Sequence, residues 1–364
     1  METILKINSR SYTLERYPKT EDKTLKAWSN AELLCLEYIK GKEFNTVHVY
    51  NDRFGFWNCV LQDKEVITIW NYASQQKAIK KNLHYNGISK EIYFSTPLDS
   101  LNGVKLALIK IPKSLELFEL YLQQIQKCSN EHTEVICSFM TKYFSSSFLK
   151  IAESYFDIVE QTKAWKKARL LILKNPKKII KSKSYINAIT YKEKNFKQWF
   201  GVFSSGSIDI GTQFFLENLK VSPKEVQVLD LACGNGVIGA TVLAQNEDTK
   251  LTFIDDFNLA VESSKMNVDV LRSTFICDNN LESLEKHTFD LVVSNPPFHF
   301  EYENNIEVSL NLFKEVFSCL KKTGRFVLVA NKHLNYKTHL IKLFRRVVSV
   351  AENKKFIIYE CYKE

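Results

Sequence analysis

The 364-residue sequence predicts an α/β protein of two Rossmann-like units in tandem, the second a mostly parallel, doubly wound sheet. Three observations predict it. In the second half, apolar runs of strand length alternate with amphipathic segments of helical period. The length suits two domains at about 150 residues each, both able to bury a core. The first half can also be laid on the second at a nearly constant offset.

In the second half the strand runs are 226–231, 251–254, 273–277, 290–293, 325–330 and 355–359, separated by helical segments such as 237–245, 258–268 and 310–320. Ahead of them, 184–203 alternates polar and apolar residues around a turn at 192–195, the pattern of a β-hairpin. The boundary is expected near 175–184, giving domains 1–178 and 179–364. An offset of 185 lays 66–69 on 251–254, 74–83 on 259–268 and 105–109 on 290–294; an offset of 181 lays 47–55 on 228–236. Common βαβ architecture or duplication explains this equally well, and either gives the first half a similar fold. The substitutions matter more. Arg53 stands opposite Gly234, Trp70 opposite Asp255, and 110–113 opposite 295–298, so the first copy is expected to hold no nucleotide cofactor there. Its aromatics Phe54, Phe56, Trp57, Trp70 and Tyr72 are read as core.

Composition narrows the function class. Hydrophobic residues at 45% and charged residues at 25% are those of an ordinary globular chain. No apolar run of roughly 18 residues occurs, and the first residues lack the apolar core of a signal peptide, so a cytoplasmic protein is expected. The eight cysteines form no CxxC pair, which argues against zinc and disulfides; no metal is expected. The net charge of +9 sits in the first half: residues 1–184 carry 29 Lys/Arg against 19 Asp/Glu, the rest 21 against 22. From Lys163 to Lys183 nine basic residues occur with no acid, Lys163, Lys166, Lys167, Arg169, Lys177 and Lys178 among them. Such a run attracts a polyanion; its alternative is a solvated linker.

Residues 228–239, Val-Leu-Asp-Leu-Ala-Cys-Gly-Asn-Gly-Val-Ile-Gly, read as a buried strand ending in a glycine turn that opens a helix. Gly234 and Gly236 are expected to clear space for a ligand and Gly239 to let the helix pack on the strand. Alone, this also fits a dinucleotide fingerprint, with acids at Asp255 and Asp256. Asp230 breaks the tie. A carboxylate there repels a pyrophosphate and suits the ammonium of S-adenosylmethionine. Asp255 can take the ribose hydroxyls and Asp278 the adenine amine, although either could instead cap a helix.

Residues 290–299 run from a buried strand directly into Asn295-Pro296-Pro297-Phe298. Two prolines stiffen the turn and remove two N–H donors, leaving carbonyls for a substrate. Hydrogen bonds from an aryl amine to the Asn295 side-chain oxygen and the Pro296 carbonyl would favour a pyramidal, nucleophilic nitrogen, with Phe298 stacking on the ring. Positioning then carries most of the chemistry, and no strong base is required. His299 and His333 are read as structural hydrogen-bonding residues. This chemistry serves a guanine N2, an adenine N6 or an amide nitrogen alike.

With these motifs, Thr13-Leu-Glu-Arg-Tyr-Pro18, Ala27-Trp28, Ala164-Trp-Lys-Lys-Ala-Arg169, Val202-Phe-Ser204, Asp209-Ile-Gly211 and Ala330-Asn-Lys-His-Leu-Asn-Tyr336, nearly the whole chain resembles the ribosomal RNA guanine-N2 methyltransferases. The resemblance implies two class I methyltransferase folds, the N-terminal one degenerate and used in RNA docking, the C-terminal one a seven-stranded, mostly parallel sheet. It places Phe203, Asp209 and Gly211 at the lid of the S-adenosylmethionine pocket and Asn295 to Phe298 on the target amine. It implies N2-methylation of guanine in 23S ribosomal RNA. Because that amine is buried in any duplex or fold, the enzyme must extrude the base or act on RNA stripped of ribosomal proteins, so protein-free or partly assembled RNA is the expected substrate, and a monomer is expected. Lys332 stands where arginine is expected, and Asp278 where a neutral amide also occurs, which leaves exact base contacts open. Small-subunit RNA, adenine N6, a non-catalytic RNA-binding assembly factor and a Rossmann oxidoreductase are the alternatives.

Overall fold

Strand and helix alternate in both halves because the inner strands are apolar enough to be covered on two faces, which is what a parallel sheet flanked by helices requires. The computed structural model describes residues 2–20, 22–178, 183–297, 299–300, 303–304 and 306–364. The chain divides into two units, Met1–Lys183 and Ser184–Glu364. The first opens with a hairpin, β1 (Ile4–Ile7) and β2 (Arg10–Thr13), followed by β3 (Thr46–Tyr50), β4 (Glu65–Ile69), β5 (Tyr93–Ser95), β6 (Leu106–Lys110), β7 (Glu134–Met140), β8 (Phe156–Gln161) and β9 (Ala168–Pro176). Its seven-stranded sheet has the order β5-β4-β3-β6-β7-β9-β8, in which β9 pairs antiparallel with both β7 and β8 and the other pairs are parallel.

The second unit opens with the predicted hairpin, β10 (Ile186–Tyr191) and β11 (Lys194–Trp199), and continues with β12 (Gln227–Leu231), β13 (Lys250–Asp255), β14 (Ser273–Cys277) and β15 (Phe289–Ser294). After a short pair, β16 (His299–Phe300) and β17 (Glu303–Asn304), come β18 (Leu320–Asn331), β19 (Arg346–Glu352) and β20 (Phe356–Tyr362). The order β14-β13-β12-β15-β18-β20-β19 repeats the first sheet strand for strand.

The repeat extends to backbone detail. Asn51 and Ala232, 181 positions apart, both take left-handed φ values (59° and 58°), as do Gly55 and Gly236 (78° and 79°). A Cβ on Gly55 would meet Ile79, and one on Gly236 would meet Ser264, its counterpart at the 185 offset. Where Gly234 opens onto space, the first unit carries Arg53, buried, its guanidinium 4.0 Å from the Tyr72 ring and its Nη2 3.3 Å from Ser74 Oγ. Phe54, Phe56 and Trp57 are buried as expected; Trp70 and Tyr72 are only partly so.

The strand period sorts the second core into two layers. Val228, Leu291 and Val293 face one side with Val237, Val242 and Phe253, while Leu229, Leu231 and Val292 face the other with Leu312, Phe313 and Val316 of helix Ile306–Cys319. Asp230 shares the Val228 face, toward helix Val237–Gln245. All eight cysteines are unpaired, and among the described residues no His/Cys/Asp/Glu cluster could hold a metal ion. No described helix is long and apolar enough to cross a membrane.

Candidate functional site

The carboxyl ends of β12 and β15 lie side by side where the strand order reverses, the position at which open α/β sheets bind their ligands. Ser294 Oγ donates to Leu231 O at 2.7 Å and ties the two ends together. Beyond β12 the chain turns through Ala232, Gly234 and Gly236, all at positive φ. The glycines do different things. A Cβ on Gly234 would meet nothing within 4 Å, so this one faces the open crevice. On Gly236 it would lie 2.8 Å from Ser264 Cβ, and on Gly239 2.2 Å from Phe253 Cε1, so these two serve helix packing. The expectation that Gly236 clears room for a ligand side by its missing side chain therefore gives way to a backbone-only role.

Asp230 is fully buried. Its Oδ2 accepts the Gly239 N–H at 2.8 Å, joining strand to helix, while its Oδ1 is buried with no partner. Burial pushes the carboxyl up to about 8, against the lowering effect of the Gly239 N–H, with Asp255 adding to the rise. Asp255, at the end of β13, holds the glycine turn: Oδ2 accepts from Gly234 N–H at 3.0 Å and Oδ1 from Phe257 N–H at 2.9 Å. Burial raises it to about 6. Asp278 follows β14 and accepts the Asn279 N–H at 2.6 Å, a local turn bond. An unpaired buried acceptor at the end of β12, four residues before the open Gly234, fits a cationic, amino-acid-bearing cofactor such as S-adenosylmethionine.

At the end of β15, Asn295 is fixed by its amide nitrogen. Nδ2 donates to Thr212 Oγ1 at 2.9 Å and lies 3.4 Å from Asp209 Oδ2. Asp209 itself caps helix Ile210–Asn218, accepting the Thr212 N–H at 3.0 Å. Gly211 is tight: a Cβ there would lie 2.9 Å from both Asp209 Oδ2 and Phe356 Cε1. Pro297 O accepts from Ser309 Oγ. A cavity of about 70 Å³ opens beside this turn, its walls including Asp209, Asn295, Pro296, Asn331, Tyr336 and Phe356. Asn331, buried at the end of β18, leaves Oδ1 without a partner.

The fold thus brings Asp230, Gly234, Asp255, Asp209 and Asn295 to one end of the second sheet. Phe203 lies on an exposed turn, 65% accessible, and its carbonyl accepts from Gln198 Nε2 at 3.3 Å. Phe298 and the His299 side chain lie outside the described residues, as does Lys181; His333 is exposed. In the first unit Lys163, Lys166, Lys167 and Lys178 are exposed, while Arg169 contacts Gln161 and Lys177 Nζ donates to Glu153 O. Sequence reasoning missed a polar clamp. Buried Gln198 of β11 accepts from Asn235 Nδ2 at 2.9 Å and Asn267 Nδ2 donates to Asn235 O at 2.8 Å, pinning the hairpin to the glycine turn. The available signal was a glutamine on the same strand face as Phe196.

The RLMG N-terminal domain matches residues 2–178, and the Methyltransferase small domain matches residues 193–360. Two Klebsiella pneumoniae proteins called Ribosomal RNA large subunit methyltransferase G are 32% and 31% identical over 368 residues, covering 98% of this chain and 97% of theirs. A 16S rRNA N2 methyltransferase from T. thermophilus (RsmC), solved in complex with AdoMet and guanosine, superposes with a TM-score of 0.79 at 17% identity. That superposition covers 100% of this chain and 98% of the other, a likeness of fold.

Proposed function

The chain belongs to the ribosomal RNA large subunit methyltransferase G family, and on that premise we propose that it moves a methyl group from S-adenosylmethionine to the exocyclic N2 amine of a guanine in 23S ribosomal RNA. One observation carries the reading: a buried carboxyl with an unpaired oxygen and an Asn-Pro-Pro turn meet at a single switch point of the second sheet.

Bound S-adenosylmethionine supplies an electrophilic methyl group on its sulfonium. Asp230 would serve its cationic amino-acid end, the Gly234 and Gly236 backbone would help hold it, and Asp255 would take the ribose and Asp278 the adenine amine. Phe203, Asp209 and Gly211 form the wall on the helix side. Because Thr212 holds the Asn295 amide nitrogen, Asn295 Oδ1 is left to accept from the target amine together with the Pro296 carbonyl. Both hydrogen bonds draw the amine toward a pyramidal nitrogen with its lone pair free, and the catalytic gain is orientation. Pro297 stiffens the turn, and Phe298 is assigned the stacking role by its place in the motif. The unpaired Asn331 Oδ1 favours guanine, whose N1–H donates, over adenine, whose N1 accepts.

An amine tied up in base pairing must first be freed, so the substrate is 23S RNA that is protein-free or partly assembled, bound in the cytoplasm by a monomer. Lys163, Lys166, Lys167, Arg169, Lys177 and Lys178 hold the phosphates. Nucleoside mass spectrometry of 23S and 16S RNA from a strain lacking the protein tests this. One N2-methylguanosine is expected to vanish from 23S RNA; loss of N6-methyladenosine, or loss from 16S RNA alone, overturns the proposal.

A further inference from the structure

The β8–β9 hairpin closes in a two-residue turn whose shape suits residues it does not have. Trp165 and Ala168 exchange both backbone hydrogen bonds, at 2.9 and 2.8 Å, leaving Lys166 and Lys167 as the central pair. Their φ values are 45° and 64°. A turn with two left-handed residues is normally filled by Asn-Gly, and L-lysine is strained at either position. The turn is nevertheless held firmly: Asn30 Nδ2 donates to Lys166 O at 3.1 Å, and Lys167 O accepts the Thr141 N–H at 2.9 Å. Both lysine side chains are exposed and add nothing to the core, so the strain is explained by what the charges do.

The surroundings narrow the partner. Trp165 is 40% exposed with Lys166 Nζ 4.7 Å from its ring centroid, Lys163 is exposed two residues earlier in the chain, and no acid occurs in the sequence from 163 to 183. One cation on an exposed indole, with two more exposed lysines two positions either side of it in the chain, matches a polyanion that also carries flat rings. Duplex RNA hides its rings in the stack, whereas an unpaired segment presents them. We propose that this tip grips an unpaired RNA segment, with one base stacked on Trp165 and the flanking phosphates on Lys163, Lys166 and Lys167. The inference rests on the RNA-methylating reading and names the surface that engages the substrate.

The test uses the full chain, a fluorescein-labelled oligouridylate of about 12 nucleotides, within the range one site covers, and a duplex of equal charge. The double variant Lys166→Asn/Lys167→Gly puts the preferred residues into the turn. It is expected to melt at a higher temperature than the parent, to bind the oligonucleotide more weakly, and to flatten the log K against log salt slope by about 1.4, at roughly 0.7 per phosphate contact. Trp165→Ala is expected to weaken single-strand binding roughly 5- to 150-fold while leaving duplex binding in place, and Trp165→Phe to restore most of the loss. The exposed pair Lys127→Asn/Lys150→Asn, carrying the same charge change, is expected to leave both affinity and slope near the parent's. Parental affinity and slope in the turn variant, a lower melting temperature in it, or equal losses on single strand and duplex for Trp165→Ala would each overturn the inference. The nucleoside analysis above is read separately: loss of N2-methylguanosine can fail while these binding results stand, and the reverse.

Discussion

Replacing Asp230 with asparagine should make the free protein more stable and the cofactor site worse, and the pH dependence should show why. The carboxyl is fully buried and raised from 3.8 to about 8. Between those values the native state keeps a proton that the unfolded chain has released, so stability is fully present below pH 4 and is lost progressively up to about pH 8. The full difference corresponds to about 6 kcal/mol. Asparagine escapes that loss. Its carbonyl can still accept the Gly239 N–H, but its NH2 takes the place of the unpaired Oδ1, a cost of about 1–3 kcal/mol. The net gain at pH 8 is about 3–5 kcal/mol, or roughly 10 °C for a unit of this size. At pH 4 the gain disappears and the asparagine protein becomes the less stable one. Thermal melts across pH 4 to 9, with and without S-adenosylhomocysteine, read both effects. The parent should gain about 2.7 kcal/mol from ligand at 100 times its Kd, with affinity increasing as pH rises through 8, while the variant loses most of that gain. A variant no more stable at pH 8 that still binds S-adenosylhomocysteine like the parent would refute the reasoning.

Other perturbations separate packing from chemistry. Gly239→Ala would place a Cβ 2.2 Å from Phe253 Cε1 and 2.5 Å from Leu251 Cδ2, so calorimetry should record a loss of about 1–3 kcal/mol or more. Thr212→Val keeps the shape of the helix start but removes the hydroxyl that fixes Asn295 Nδ2; kcat should fall about tenfold with KM for S-adenosylmethionine unchanged, and an unchanged kcat would remove Thr212 as a positioning residue. Asn331→Ala should erase the preference for guanine over 2,6-diaminopurine at the target position, a preference expected to be roughly 5- to 150-fold in the parent by kcat/KM.

Much of this architecture was legible because apolar period and chain-breaking residues say so directly. The strand at 226–231, the glycine turn and the Asn-Pro-Pro turn follow from β-branched runs ended by Gly or Pro, and helix Val237–Gln245 falls at its expected bounds. The strand Arg346–Glu352 was missed because it is a sheet edge with most side chains in solvent, so it carries no continuous apolar run. β18 starts at Leu320 rather than 325 because a polar stretch, Lys321 to Gly324, can extend a strand without any hydrophobic signal. At the site, sequence put Asp230 in the right strand but not its orientation, which depends on which face helix Val237–Gln245 covers. The clamp of Gln198, Asn235 and Asn267 joins residues 37 and 32 apart through amides, and no local pattern encodes such a pairing. The repeat between the halves was visible as two offsets; the matching left-handed residues at Asn51 and Ala232 show that the likeness extends to the loop backbone.

The central claim is that the crevice between β12 and β15 methylates a guanine amine. Its most direct test is transfer of labelled methyl groups from S-adenosylmethionine to deproteinised 23S RNA, compared with intact large subunits, followed by nucleoside identification for the parent and for Asn295→Ala. The account predicts label in N2-methylguanosine, mostly with the stripped RNA, and none with the variant. Label in another nucleoside, or full transfer by Asn295→Ala, would contradict it.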